Sequence, residues 1–159
     1  MAYQETFVQR DEHRIYVRDH PGAEPAIILM HGFPDNVHLY DRLCPYLSPP
    51  RRVVLFDFLG WGSSDKPFGY PYTTDNQVGD LDAVIAQLGL GQVVLVAHDA
   101  SGPPAIDWAL AHPERVAGLV LLNTRPPALG LEVPPSSARA RRQGDRIRGG
   151  VAAIARSRL

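Results

Sequence analysis

The sequence predicts an α/β fold whose sheet is mostly parallel and doubly wound, with an antiparallel hairpin at the N-terminus. Four short runs are apolar throughout, as strands covered on both faces of a sheet are: Ala26–Met30, Val53–Phe56, Val93–Ala97 and Leu119–Leu122. Segments with helical spacing lie between these runs, so strand and helix alternate along the chain. Before the first run, residues 5–19 alternate between polar and apolar side chains, which is typical of half-exposed antiparallel strands.

The N-terminal alternation predicts two strands, residues 5–10 and 14–19, joined by a turn at residues 11–13. After the first apolar run, Val37–Leu47 has helical spacing and is predicted as a helix. Cys44 falls within it and is predicted to be a small core residue, since a single cysteine cannot form an internal disulfide.

A second helix is predicted from about Asp75 to Leu88, because apolar residues recur there at helical spacing: Val78, Leu81, Ile85 and Leu88. Thr74, with Gln77 three residues later, suits a capping box at its start. A third helix is predicted over Ala105–Ala111. The last apolar run, Leu119–Leu122, is expected to form an uncovered edge of the sheet, which is an aggregation hazard.

Charge is distributed unevenly along the chain. Residues 1–124 contain 8 Lys and Arg against 15 Asp and Glu, a balance of −7, whereas residues 125–159 contain 8 Arg against Glu132 and Asp145, a balance of +6. The second segment is rich in Pro and Ala and has no aromatic residue. The composition therefore predicts a structured part, residues 1–124, and a tail, residues 125–159, that is disordered or results from a reading-frame shift.

An arginine-rich segment such as residues 139–148 can contact nucleic acid, and a steep salt dependence of binding would support that role. No nucleic-acid partner is expected here, because no aromatic side chains are interleaved for base stacking. No run approaches eighteen apolar residues and the N-terminus does not resemble a signal peptide. The protein is therefore expected to be cytoplasmic and not to contact a membrane. The sequence does not indicate an oligomeric state.

The most informative junction follows the run Val93–Ala97. The chain continues as His98-Asp99-Ala100-Ser101-Gly102, with a helix expected from about Pro103. Small residues two positions before Asp99, and two and three positions after it, permit a very tight strand–turn–helix. This is the nucleophile-elbow pattern, with Asp99 as the nucleophile. Ser101 is a rival nucleophile, but then Asp99 and Pro103 would occupy positions that need small residues. A further alternative for Asp99 is an ordinary helix N-cap.

Two further motifs accompany the elbow. The first apolar run is followed by His31-Gly32-Phe33-Pro34, and the second by Asp57-Phe58-Leu59-Gly60-Trp61-Gly62-Ser63-Ser64-Asp65-Lys66-Pro67. With the elbow and residues 105–116, these motifs resemble, in the same order, the N-terminal portion of the α/β-hydrolase superfamily. The resemblance extends from about residue 5 to Thr124. Because an aspartate occupies the nucleophile position, the sequence resembles one branch of this superfamily in particular, that of haloalkane dehalogenases, epoxide hydrolases and haloacetate dehalogenases.

The resemblance implies a role for each matching residue. The backbone N–H groups of Phe33 and Ala100 would form an oxyanion hole. His31, Gly32 and Asp57 would support the surrounding loops. No metal and no cofactor is implied.

The chemistry that the resemblance implies is displacement at saturated carbon. A carboxylate nucleophile expels a leaving group and forms an ester that water then hydrolyses. The implied substrate is a small apolar haloalkane or epoxide. Typical dehalogenases carry side-chain N–H donors for the leaving halide at the positions of Phe33 and Ala100, and neither residue has one. A pairing of Asp57 with Asp65 as two catalytic carboxylates is an alternative to loop support.

Parts of the family pattern have no counterpart in the sequence. In the family an acid and a general-base histidine follow the nucleophile. Here no histidine follows His112, and Asn123 stands where one subgroup has its acid. The chain therefore resembles a core truncated after about the sixth strand, with the tail in place of the cap, and is expected to turn over slowly or not at all. A non-catalytic, ligand-binding relative is the alternative, in which Asp99→Asn would leave ligand affinity intact.

Overall fold

The computed structural model describes residues 3–48, 50–124 and 151–155. Seven strands form one sheet: β1 Gln4–Arg10, β2 His13–His20, β3 Ala23–Met30, β4 Arg51–Phe56, β5 Val93–His98, β6 Val116–Leu122 and β7 Val151–Ala155. Their order across the sheet is β1-β2-β4-β3-β5-β6-β7. The pairs β4–β3, β3–β5 and β5–β6 are parallel, whereas β1–β2, β2–β4 and β6–β7 are antiparallel. The predicted mostly parallel sheet with an N-terminal antiparallel hairpin is therefore confirmed.

Strand β7 was not predicted from the sequence. It pairs antiparallel with β6, with Gly118 opposite Ala155 and Leu122 opposite Val151. The expectation that Leu119–Leu122 forms an uncovered edge is therefore wrong. The other residues of the predicted tail, 125–150 and 156–159, lie outside the described residues.

The described part of the chain has three α-helices: α1 Cys44–Leu47, α2 Thr74–Gln87 and α3 Gly102–Ala111. Three short 3-10 turns accompany them, at Val37–Tyr40, Asp99–Ser101 and Pro113–Arg115. Within the described ranges, no helix is long and apolar enough to cross a membrane.

The helix predicted over residues 37–47 is wrong, because the structure divides it into two short pieces. The Asn36 side chain caps the first piece by accepting a hydrogen bond from the His38 N–H at 3.0 Å. Bonds between residues three apart, such as Asp41 N–H to the His38 carbonyl, make this piece a 3-10 turn. Pro45 has no N–H and so suits only the first turn of a helix, where it lies in α1. The spacing of apolar residues over 37–47 does not reveal that the helix is divided into two pieces.

Helix α2 agrees with the predicted range, but its N-cap does not. Thr73 is the N-cap residue, and its hydroxyl accepts a hydrogen bond from the Asn76 N–H at 3.3 Å. The predicted capping box that starts at Thr74 is therefore wrong by one residue. The two threonines are adjacent, so the sequence pattern alone does not distinguish them.

The core has two layers, one on each face of the sheet. On one face, α2 and α3 bury Leu81, Ile85 and Trp108 against side chains that include Phe56. On the other face, Val37, Tyr40 and Cys44 pack against Leu29 and Leu55. Cys44 is buried among apolar side chains, as predicted. Burial of each large apolar side chain stabilises the fold by about 1.5–3 kcal/mol relative to exposure.

The parallel strands place the sequence motifs together. Strands β3, β4 and β5 run in the same direction and end at Met30, Phe56 and His98. The segments that follow these strands therefore meet at one edge of the sheet, which is where open α/β sheets bind ligands.

Candidate active site

Asp99 lies in the turn between β5 and α3. It follows the last residue of β5 and begins the 3-10 turn that leads directly into α3 at Gly102. Its backbone φ is +50°, a left-handed conformation that costs a non-glycine residue about 1 kcal/mol or more. Its side chain is partly exposed, and the next residue, Ala100, is exposed. The sharp turn thus presents the Asp99 carboxylate at the carboxyl-end edge of the sheet.

Two close approaches fix the position of this turn. A Cβ atom at Gly32 would lie 2.6 Å from the Asp99 Cβ and 2.9 Å from the Asp99 Oδ2. A Cβ atom at Gly102 would lie 2.0 Å from the Thr124 Oγ1. Both positions therefore need glycine. The Thr124 hydroxyl donates a hydrogen bond to the Asp99 carbonyl at 2.5 Å, a contact that sequence analysis missed because it depends on the end of β6 lying beside the turn.

The Asp99 carboxylate contacts the backbone of the loop after β3. The Phe33 N–H donates a hydrogen bond to the Asp99 Oδ2 at 3.1 Å. This amide is the one that the resemblance places in an oxyanion hole, and the structure brings it to one of the two carboxylate oxygens. The Phe33 side chain is 65% exposed, so an apolar surface flanks the carboxylate.

Ser101, the rival nucleophile, is completely buried. Its Oγ lies 3.0 Å from the Met30 carbonyl oxygen and 2.9 Å from the His98 carbonyl oxygen, and it accepts a hydrogen bond from the His98 N–H at 2.9 Å. The hydroxyl therefore links β3 to the turn after β5. A serine held in this way has no access to a substrate.

His31 lies beneath the loop that carries Phe33, and both of its ring nitrogens are engaged. Nδ1 donates to the Gly32 carbonyl at 2.8 Å, and Nε2 accepts from the Phe58 N–H at 3.2 Å. Burial lowers the pKa of His31, against the opposing influence of the Gly32 carbonyl and Asp57. The neutral ring with its proton on Nδ1 fits both contacts. In this arrangement His31 has no nitrogen left to act as a base.

Asp57 connects two loops at the same edge of the sheet. Its carboxylate accepts hydrogen bonds from the Val37 N–H and the Ser63 N–H, each at 2.7 Å. The Asp65 carboxylate accepts from the Arg14 N–H at 2.8 Å and faces the Arg14 guanidinium. The two carboxylates thus have separate partners, which argues against a catalytic pair.

In residues 3–48, 50–124 and 151–155, no general base hydrogen-bonds to the Asp99 carboxylate. Among the described residues, no histidine nitrogen forms a hydrogen bond with its carboxylate. His98 Nδ1 is buried and has no partner in the part of the chain that the structure describes. No group of three or more His, Cys, Asp or Glu within the described ranges could hold a metal ion. The described residues at this edge of the sheet therefore include an aspartate carboxylate with one backbone amide donor.

Comparison with known proteins gives the same family throughout. A sequence model of the alpha/beta hydrolase fold matches residues 25–159. A fluoroacetate dehalogenase from a Burkholderia species is 37% identical over 109 residues, which cover 66% of this chain and 36% of the relative. A cis-3-alkyl-4-alkyloxetan-2-one decarboxylase from Shewanella oneidensis is 32% identical over 127 residues, which cover 78% of this chain and 40% of the relative. Epoxide hydrolase 2 of Siraitia grosvenorii is 36% identical over 104 residues, which cover 64% of this chain and 33% of the relative.

Solved structures agree with these relatives. The haloalkane dehalogenase DatA from Agrobacterium tumefaciens matches with a TM-score of 0.69 and 28% identity, covering 74% of this chain and 40% of that one. The chain spans 33–40% of the length of the three curated relatives above. The match of the family model over most of the sequence, together with this shared fold, shows that the chain belongs to the alpha/beta hydrolase family.

Proposed function

We propose that this chain carries the nucleophile of a hydrolase, and that Asp99 attacks a saturated carbon to form an alkyl-enzyme ester. The observation that carries the proposal is the position of the Asp99 carboxylate. It stands on a left-handed turn at the end of a central parallel strand, with one oxygen held by the Phe33 N–H at 3.1 Å. An ordinary helix N-cap accepts hydrogen bonds from the helix that it begins, whereas this carboxylate bonds to the loop after β3.

The two carboxylate oxygens then have different tasks. Because Oδ2 accepts the Phe33 N–H, Oδ1 is the oxygen that attacks the substrate carbon. The bond between that carbon and its leaving group breaks, and the leaving group departs with the electron pair. The product is an ester of Asp99 whose carbonyl oxygen is Oδ2.

Hydrolysis of the ester uses the same amide. Water attacks the Asp99 Cγ, and negative charge develops on Oδ2, where the N–H groups of Phe33 and Ala100 stabilise it. Collapse of this intermediate releases the alcohol and restores the carboxylate. The attacking water must also lose a proton to a base. Since no histidine nitrogen among the described residues hydrogen-bonds to the Asp99 carboxylate, we expect the ester to form faster than it is hydrolysed.

The substrate class follows from the site and from the relatives. The three relatives are named for a haloacid, an epoxide and a four-membered cyclic ester. Each of these molecules has a saturated carbon bonded to a halide or to a strained ring oxygen. A carboxylate displaces such groups readily. The exposed Phe33 ring beside Asp99 favours a small apolar substrate. Phe33 and Ala100 have no side-chain donor for a departing halide or alkoxide, so these two residues do not discriminate between dehalogenation and ring opening.

The test is to trap the ester. The purified chain is incubated with styrene oxide or with 1-bromohexane, and the mass of the intact protein is measured. We expect a gain of one alkyl group per chain, and peptide mapping should locate it on Asp99. The gain should disappear in Asp99→Asn and persist in Asp107→Asn, which alters an exposed aspartate on α3.

The controls separate specific from adventitious alkylation. An equal mass gain in Asp99→Asn would show that another side chain had reacted, and the proposal would fail. Unchanged protein with both reagents, together with binding of either reagent that Asp99→Asn leaves intact, would instead support a non-catalytic binding protein.

A further inference from the structure

A buried carboxylate on α2 holds the backbone of the loop that follows β4. This loop, residues 57–73, is called the β4 loop here. The Asp80 Oδ2 accepts the Leu59 N–H of the β4 loop at 3.1 Å, and the Asp80 Oδ1 forms an ion pair with the Arg10 Nε on β1 at 3.7 Å. The Asp80 side chain is 1% exposed. Burial of a carboxylate costs free energy that burial of an apolar side chain does not, and here the carboxylate holds a backbone amide in return.

The amide that Asp80 holds lies next to one that contacts His31. The peptide between Phe58 and Leu59 is fixed at both of its polar groups, because its carbonyl accepts the Trp61 N–H at 3.0 Å. The preceding amide, the Phe58 N–H, donates to the His31 Nε2 at 3.2 Å. A ring nitrogen that accepts a hydrogen bond carries no proton. This contact therefore selects the neutral tautomer of His31 that has its proton on Nδ1.

The His31 proton in turn orients the amide that contacts Asp99. Nδ1 donates to the Gly32 carbonyl at 2.8 Å, and the Asp35 N–H donates to the same carbonyl at 3.1 Å. The Gly32 carbonyl and the Phe33 N–H belong to one planar trans peptide unit, on which they point in opposite directions. The Phe33 N–H donates to the Asp99 Oδ2 at 3.1 Å. The direction of this N–H therefore depends on what holds the Gly32 carbonyl.

We propose that Asp80 is a positioning residue for Asp99, because it holds the loop that selects the tautomer of His31. Asp80 acts through a series of four hydrogen bonds and does not touch the reacting atoms. An apolar side chain in its place leaves the Leu59 N–H buried without an acceptor, and the β4 loop must then move to satisfy it. The effect on the reaction rate rests on the function proposed above, whereas the effect on His31 is independent of that function.

Three variants of the full chain separate positioning from stability. Asp80→Leu keeps the approximate shape of the side chain and removes both oxygens, whereas Asp80→Asn keeps an acceptor for the Leu59 N–H. Asp82→Leu is the matched control on the same helix, because Asp82 accepts the Trp108 indole N–H at 3.2 Å and so ties α2 to α3. Urea unfolding gives the stability of each variant. Asp80→Ala, which adds no bulk, replaces Asp80→Leu if the latter does not fold.

Nitrogen NMR near pH 7 reads the tautomer directly. The ¹⁵N signals of His31 show which ring nitrogen carries the proton, and the amide spectrum shows the Phe33 N–H. In Asp80→Leu we expect the His31 Nε2 signal to move towards that of a protonated nitrogen and the Phe33 signal to shift. In Asp80→Asn and Asp82→Leu both signals should stay at their wild-type positions. Unchanged signals in Asp80→Leu, or equal changes in Asp82→Leu, would overturn the proposal.

The rate of Asp99 alkylation gives the second readout. Asp80→Leu should slow it by about tenfold, less than the roughly 100-fold that a misplacement of about 1 Å can cost, because the Asp35 N–H still holds the Gly32 carbonyl. Asp80→Asn and Asp82→Leu should react at nearly the wild-type rate, and equal slowing in Asp80→Asn and Asp80→Leu would contradict the assignment. A wild-type chain that is not alkylated would refute the role of Asp99, and the NMR signals would then decide the role of Asp80.

Discussion

Asp80 should make the stability of this protein depend on pH. Its side chain is 1% exposed, and burial raises its pKa from 3.8 to about 6. The Leu59 N–H, the Arg10 guanidinium and the Tyr70 hydroxyl lower the pKa, whereas Asp11 raises it slightly. The pKa-lowering effects of these groups are smaller than the pKa-raising effect of removing water from around the carboxylate.

The sign follows from comparing the folded and unfolded chains. Between about pH 4 and pH 6 the folded chain holds the Asp80 proton more tightly than the unfolded chain does, so stability falls as pH rises through this window. Below about pH 4 the carboxyl is protonated in both states, and the neutral group contributes its full stability. The difference between 3.8 and about 6 corresponds to a loss of about 3 kcal/mol in the free energy of unfolding by pH 7.

Asp80→Asn isolates this effect, because Asn keeps an oxygen for the Leu59 N–H and cannot ionise. Urea unfolding at about pH 4, 5, 6 and 7 gives the free energy of each protein. The stability of Asp80→Asn relative to the wild type should rise by about 2–2.5 kcal/mol from pH 4 to pH 7, because at pH 4 the unfolded chain has already lost part of the Asp80 proton. The exposed control Asp107→Asn should stay within about 0.5 kcal/mol of the wild type at each pH. A difference for Asp80→Asn that does not change with pH would refute the reasoning.

Three further substitutions test the site and the fold. Gly32→Ala should lower the free energy of unfolding by about 1–3 kcal/mol and slow alkylation of Asp99, because the new methyl group meets the Asp99 Cβ; alkylation at the wild-type rate would contradict this. Ser101→Ala should cost about 1–3 kcal/mol in urea unfolding, yet mass spectrometry should still find the adduct on Asp99. Thr73→Ala should lower the free energy of unfolding in urea by about 1 kcal/mol, and Thr74→Ala should lower it much less. The opposite order would show that Thr74, as the sequence pattern predicted, is the N-cap residue.

The sequence predicted the fold well where the pattern was local. Continuous apolar runs marked β3 to β6, and the spacing of Leu81 and Ile85 marked α2, because burial on both faces of a sheet or on one face of a helix leaves a repeating signal. Strand β7 is also a short apolar run, Val151–Ala155, but three of its five residues are alanine, which is depleted in strands and favours helices, so the run alone does not identify a strand. Helix α1 is short because Pro45 has no backbone N–H and fits only in the first turn of a helix, which the spacing of apolar residues does not show.

The candidate site was predictable in its residues but not in its contacts. The small residues around Asp99 indicated a tight turn, and the structure has that turn at a φ of +50°. The hydrogen bond from Phe33 to the Asp99 Oδ2 and the support from Thr124 depend on distances between separate strands, which motifs do not encode. The roles assigned to these residues stay predictions until the ester is trapped.

The central claim, that Asp99 is the nucleophile, is tested most directly by labelling with heavy oxygen. Excess enzyme is allowed a single turnover of styrene oxide in heavy-oxygen water, and the Asp99 peptide and the product diol are both analysed by mass spectrometry. If Asp99 is the nucleophile, its carboxylate gains heavy oxygen from the water that cleaves the ester, and the first diol carries ordinary oxygen from the protein. Heavy oxygen in the diol with none in Asp99 would show that water attacks the substrate directly, and would contradict the account.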